Sequence, residues 1–290
     1  MTTFSERLGI VQLPTALQLD TVNDALRHSV WNLLYDLYED NNNDYWKMVA
    51  KHVAEFFRKV PADDLPYRDY ECRRWLKEYF YSLSWYEFYD MIEFVAENHR
   101  HMTRRSSGYR RDYLYHQVDN DRVRLAFNGI LERELSGYRF VAGILSPISD
   151  RAEVEEIADA VETAHKTGLM GAVEHIRTAL VLLGKKPEPD YRNSIKEAIS
   201  AVESVAKQIG GTKSSGIDGA LEELAKNSQL HGALKAGFKS LYGFTSDADG
   251  IRHAILQQPN VGFPEAKYMV VACSAFVHYL IQKADEAGML

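Results

Sequence analysis

The chain has 290 residues, 46% hydrophobic and 26% charged, which is enough for one large domain or two ordinary ones with packed cores. Its net charge of −7 argues against strong sequence-independent binding to duplex DNA but is compatible with a local basic groove. The longest apolar run, Met269 to Ile281, is too short to cross a bilayer, so no membrane association is expected.

No signal peptide is expected from the sequence, and the common catalytic motifs are not found in it. The N-terminal residues do not read as a signal peptide, and Cys72 and Cys273 lie too far apart for a metal-binding spacing. We therefore expect a reduced cytoplasmic setting. The chain contains no phosphate-binding glycine loop, zinc-protease motif or nucleophile elbow, which argues against the common NTPases, zinc enzymes and hydrolases. No metal and no cofactor are expected.

Helical periodicity dominates the chain, and we take the expected helices in chain order. Asp20 is the expected N-cap of the first helix, Asp44 that of the second, and Ser149 opens the first helix after a break at Pro147. The expected helices are Thr21–Asp40, Asp44–Arg58, Tyr67–Tyr81, Ser84–His99, Asp121–Leu135, one from Ser149, one through Val173–Leu183, Tyr191–Ile209, Asp218–Asn227, Leu230–Tyr242 and one from Pro264.

Two segments interrupt the helices. Residues 138–144 are the only stretch that predicts a short strand or hairpin, extending to about residue 148. Residues 184–190 combine a glycine, two prolines and charges, a composition typical of a linker. The sequence thus predicts an all-α protein with two helical-bundle domains, residues 1–183 and 191–290, joined by this linker.

The Arg252–His253 pair is the strongest chemical signal. It stands where a turn rich in Gly, Ser, Thr and Asp leads into a helix. Histidine can transfer protons near neutral pH, and arginine can hold two phosphate oxygens at once. Together they could cleave RNA without a metal, with the 2′-hydroxyl as nucleophile. A surface arginine beside a packing or capping histidine would give the same dipeptide.

A basic segment near the middle of the chain is a candidate RNA-binding site. It contains Arg100 and four further arginines, and tyrosines alternate with its charged residues. Guanidinium groups and aromatic faces suit single-stranded nucleic acid, although a solvated basic loop would look the same. The candidate RNA-binding residues are Arg104, Arg105, Arg110 and Arg111.

Weaker candidates lie on the helix after the linker and on the last helix. Arg192, Glu197 and Glu203 could support the Arg252–His253 pair, although ordinary surface polarity also explains them. His278 and Cys273 occur in an apolar helix, where a hydrogen-bonded core histidine and a small buried thiol are expected.

Several segments resemble AbiJ-type abortive-infection proteins. Residues 191–206, 241–254 and 271–277 resemble the C-terminal HEPN-like domain of these proteins, and residues 4–9, 26–32 and 127–141 resemble an AbiJ-type N-terminal helical domain. The resemblance implies bacterial defence against phage, with a sensor or regulatory N-terminal domain. It also implies a C-terminal bundle that dimerises and acts as a metal-independent ribonuclease.

The sequence departs from the usual HEPN motif, in which four to six residues separate an arginine from a histidine. No arginine stands at that distance before His253, whereas Arg111 and His116 have the spacing but fall in the N-terminal domain. Two hypotheses therefore stay open: a HEPN-type endoribonuclease that uses His253 and Arg252, or a non-catalytic module. Such a module would bind RNA or a protein partner, such as a phage component or an antitoxin, or would serve only for dimerisation.

Overall fold

The computed structural model describes residues 8, 17–39, 44–103, 119–185, 188–210, 217–226, 230–243 and 261–290. The chain divides into two compact units, Met1–Leu145 and Ser146–Leu290, which we call the N-terminal unit and the C-terminal unit. This division does not coincide with residues 184–190, and the helices on either side of that segment pack on each other. A functional boundary at residues 184–190 stays a prediction.

Helices build the N-terminal unit. In chain order the elements are α1 (Asp24–Tyr38), α2 (Tyr45–His52), a π-helix (Val53–Arg58), a 3-10 helix (Ala62–Asp64), α3 (Asp69–Ser82), α4 (Trp85–Thr103) and α5 (Asn120–Arg133). The two-stranded sheet of β1 (Arg139–Val141) and β2 (Ile144–Ser146) follows. The predicted all-α class with one short hairpin is confirmed.

The C-terminal unit is a bundle arranged around one helix. Its elements are α6 (Arg151–Lys166), α7 (Met170–Gly184), α8 (Tyr191–Gly210), α9 (Ile217–Lys226), α10 (Gly232–Gly243) and α11 (Phe263–Glu286). Helix α8 packs against α7, α9 and α11, and α11 also packs against α6 and α7. Within the part of the chain that the structure describes, no helix is long and apolar enough to span a bilayer.

Three local predictions are wrong. Helix α1 is capped by Asn23 and not by Asp20, because the Asn23 side chain accepts the Leu26 amide at 2.9 Å. Helix α6 is capped by Asp150 and not by Ser149, since its carboxylate accepts the amides of both Ala152 and Glu153. The helix predicted from Asp44 to Arg58 is α-helical only to His52 and continues as a π-helix.

Aromatic rings fill the core of the N-terminal unit. Trp46 is 2% exposed, stacks on Trp31 with ring centroids 5.6 Å apart, and meets the edge of Tyr38 at 5.8 Å. The indole nitrogen of Trp46 donates to Glu39 at 2.8 Å, so the ring is both buried and hydrogen-bonded.

One histidine, His99, is buried in this core. His99 is 2% exposed, and its Nδ1 lies 3.1 Å from the hydroxyl of buried Tyr38. Burial lowers the pKa of His99 to about 4 and raises the pKa of Tyr38. The ring is therefore neutral at physiological pH and shares a hydrogen bond with the Tyr38 hydroxyl.

The hairpin is fastened to α5 by a single side chain. Asn128 donates from Nδ2 to the Phe140 carbonyl at 2.8 Å and accepts the Phe140 amide at 2.7 Å. The buried guanidinium of Arg139 donates to the carbonyls of Ser136 and Tyr138 at 2.8 and 2.7 Å, and its burial lowers its pKa. These bonds satisfy polar groups that a two-stranded sheet alone would leave unpaired.

Candidate functional site

The predicted catalytic pair, Arg252 and His253, lies outside the described residues, so its role stays a prediction. The described chain stops at Gly243, at the end of α10, and resumes at Val261, just before α11. At that point the ring of Phe263 meets the ring of Tyr191, with centroids 6.2 Å apart. The described chain therefore resumes beside the first turn of α8.

Arg192 is the next residue of that first turn. It is half-buried and already makes an interaction of its own. His253 stands nine positions before Gly262 in the sequence, and the supporting role of Arg192 stays a prediction.

Glu197 pairs with His175, a histidine that was not among the predicted site residues. His175 on α7 lies with its Nδ1 2.7 Å from the Glu197 carboxylate, and both side chains are partly exposed. A carboxylate that holds one ring nitrogen leaves the other nitrogen free to move a proton, which is the geometry of an oriented general base. The same contact also serves simply to join α7 and α8.

The structure does not gather Arg192, Glu197 and Glu203 into one cluster. Arg192 and Glu203 are eleven residues apart on α8, so they share a face but lie about 16 Å apart along its axis. Glu197 is turned by roughly 140° from Arg192. Glu203 is half-buried and makes its own interaction, and the supporting role of these three residues stays a prediction.

A second histidine–carboxylate pair joins α6 to α11. Nδ1 of His278 lies 3.1 Å from Glu156, and the Gln282 amide nitrogen lies 3.0 Å from Nε2 of the same ring. His278 is hydrogen-bonded as predicted, but it is half-buried and not a core residue. Its neighbour Cys273 is buried, as predicted, and burial raises the pKa of its thiol to about 12, so it is not a thiolate at neutral pH.

Little in the sequence indicated which carboxylates would pair with His175 and His278. Glu156 precedes His278 by 122 residues, and His175 precedes Glu197 by 22. Helical periodicity says which face of each helix is buried, but not which helices become neighbours. In the residues that the structure describes, no group of three or more His, Cys, Asp or Glu side chains is placed to hold a metal ion.

The predicted RNA-binding residues Arg104, Arg105, Arg110 and Arg111 also lie outside the described residues, as does His116. The two ends of their segment are held together by Asn120. Its side chain accepts the Arg100 amide at 3.2 Å and donates to the Glu97 carbonyl at 2.7 Å. Helix α4 therefore ends, and α5 begins, at the same end of the α4–α5 pair.

Comparison with known proteins gives one finding. The family model described as AbiJ N-terminal domain 4 matches residues 2–163, which is more than half of the chain. The match covers the N-terminal unit and most of α6. No curated protein and no solved structure matches the chain significantly.

Proposed function

Because the chain belongs to the AbiJ N-terminal domain 4 family, we propose that it acts in bacterial abortive infection against phage. In this proposal residues 1–183 sense or regulate, and residues 191–290 form a HEPN-like domain that cleaves RNA without a metal. His253 transfers the proton and Arg252 holds the phosphate. The protein would act in the cytoplasm as a homodimer.

The family match carries the first part of the proposal, since abortive infection is what the AbiJ name denotes. For the second part, the support is the helical bundle of the C-terminal unit and the return of its chain beside Arg192. The His175–Glu197 pair, whose ring nitrogen and carboxylate lie 2.7 Å apart, joins α7 to the central helix α8 and offers a second proton-transfer group there.

The test is RNA cleavage by the purified full chain in the presence of EDTA. We expect His253→Ala and Arg252→Ala each to reduce cleavage at least about 100-fold, because proton transfer and charge stabilisation contribute on that scale. His165→Ala and Arg177→Ala are matched controls, since both side chains are exposed on α6 and α7. They should cleave at the wild-type rate.

Unchanged cleavage by His253→Ala would remove the catalytic assignment. A wild-type chain that cleaves no RNA would favour the second candidate, a non-catalytic module that binds RNA, a phage component or an antitoxin-like protein. This second candidate is supported by the absence of an arginine at the usual HEPN spacing before His253.

A further inference from the structure

Cations rest on aromatic rings along the facing sides of α1 and α3. The Arg73 guanidinium carbon lies 5.6 Å from the centre of the Tyr35 ring. One helical turn on, the Lys77 nitrogen lies 5.8 Å from the Trp31 ring and 6.0 Å from the Tyr81 ring. Successive cation–ring contacts therefore join later residues of α3 to earlier residues of α1. Together these contacts form a series of alternating charges and rings.

The series continues past Lys77. The ring of His28 lies 5.7 Å from that of Tyr81. Arg27 donates to the carbonyls of Leu83 at 2.7 Å and Phe80 at 3.4 Å, and its guanidinium carbon lies 5.3 Å from the Phe88 ring. We call this set the α1–α3 surface: Arg27, His28, Tyr35, Arg73, Lys77 and Tyr81.

Two of its cations have no carboxylate partner in the described part of the chain. Lys77 is exposed and contacts only rings, and Arg27 is bonded to carbonyls. Arg73 differs, because Glu39 accepts two hydrogen bonds from it at 2.9 and 3.0 Å. Neither of these two cations is paired with a described carboxylate, although the net charge of the chain is −7.

Its rings are partly open to solvent. Tyr35 is 39% exposed, Tyr81 is half-buried and His28 is exposed, whereas buried Trp31 supports them from below. Residues 73, 77 and 81 follow one another at intervals of about 6 Å along α3. Rings and cations repeated at this interval suit a chain of alternating bases and phosphates.

We propose that the α1–α3 surface binds a single strand of nucleic acid, with bases on Tyr35 and Tyr81 and phosphates at Lys77 and Arg27. Stacking on such rings requires unpaired bases, which a duplex does not offer. An acidic peptide would use the cations but leave the ring faces unused. The proposal holds whether or not the C-terminal unit cleaves RNA.

The experiment measures binding of fluorescent oligouridine and oligoadenosine strands to the full chain. The chain carries His253→Ala, so that the proposed cleavage cannot consume the probe. We expect Tyr35→Ala to weaken binding about tenfold, as loss of one stacked base does. Lys77→Ala should weaken it severalfold and should lower the slope of log affinity against log salt by about 0.7, because one phosphate contact is lost.

Arg58→Ala is the matched control. Its guanidinium carbon lies 5.4 Å from the Trp75 ring and 4.7 Å from the Tyr79 ring, on the other flank of α3. Its loss removes similar cation–ring contacts outside the α1–α3 surface and should leave binding unchanged. Circular dichroism of each variant reports whether the fold is retained.

Three results would overturn the proposal: equal binding of the same strands annealed to their complements, displacement by polyglutamate as readily as by unlabelled strand, or equal losses in Lys77→Ala and Arg58→Ala. Displacement by polyglutamate would point to an acidic protein partner instead. Failure of the cleavage assay with wild-type protein would leave this binding result intact, so the two proposals can fail separately.

Discussion

Replacing Trp46 with alanine is expected to lower the free energy of unfolding of the N-terminal unit by about 3–5 kcal/mol. The ring is 2% exposed and packs against Trp31 and Tyr38. It also lines an apolar cavity of about 20 Å³, which the truncation would enlarge. Glu39 would in addition lose the indole hydrogen bond of 2.8 Å.

Urea unfolding followed by far-ultraviolet circular dichroism measures this change. Trp75→Ala is the control, because Trp75 is only partly buried and packs at the surface beneath Arg58. It should cost about 1–2 kcal/mol, since much less apolar area is lost. Equal losses in the two variants would show that the Trp31–Trp46 stack is not the centre of the core.

The helices were predictable from sequence because each has a clear apolar stripe. In α1, for example, Leu26, Val30 and Leu34 recur at intervals of four and are all buried. The hairpin at residues 139–146 was also predictable, since β-branched and aromatic residues there flank Ala142 and Gly143, both at positive φ.

Helix ends were harder to predict because several polar residues compete for each cap. Asp20, Asn23 and Asp24 are all acceptable N-cap types, and only the backbone geometry selects Asn23. The π-helix after His52 carries no local signal either. Within it, Phe57 packs against Phe94 of α4, a long-range contact that periodicity cannot reveal.

The candidate sites were predictable only as residue types. His99 directly precedes the basic segment that starts at Arg100, yet the structure buries it against Tyr38, 61 residues earlier. In the same way Arg73 and Lys77 look like ordinary charges on a helix, and only the approach of α1 places them on Tyr35 and Trp31. Long-range packing decides both outcomes.

Lowering the pH from 7 to 5 is expected to cost the folded protein about 2 kcal/mol through His99 alone. Burial holds the pKa of His99 at about 4 in the folded state, whereas in the unfolded chain it is about 6.5. Below pH 6.5 the unfolded state takes up a proton that the folded state does not. The stability that neutral His99 contributes is therefore complete above pH 6.5 and is lost progressively as the pH falls to 4.

His99→Gln separates this effect from other titrations, because glutamine can accept the Tyr38 hydroxyl but does not ionise. Urea unfolding at pH 7 and pH 5 should show a smaller loss in this variant than in the wild type, by about 2 kcal/mol. His101→Gln, exposed on the same helix, should behave as the wild type. Carboxyl groups such as Glu93, whose pKa burial raises, titrate in all three proteins and cancel in the comparison. Equal pH dependence of the wild type and His99→Gln would mean that the ring gains a proton without unfolding, so that the Tyr38–His99 contact opens to water in the native state.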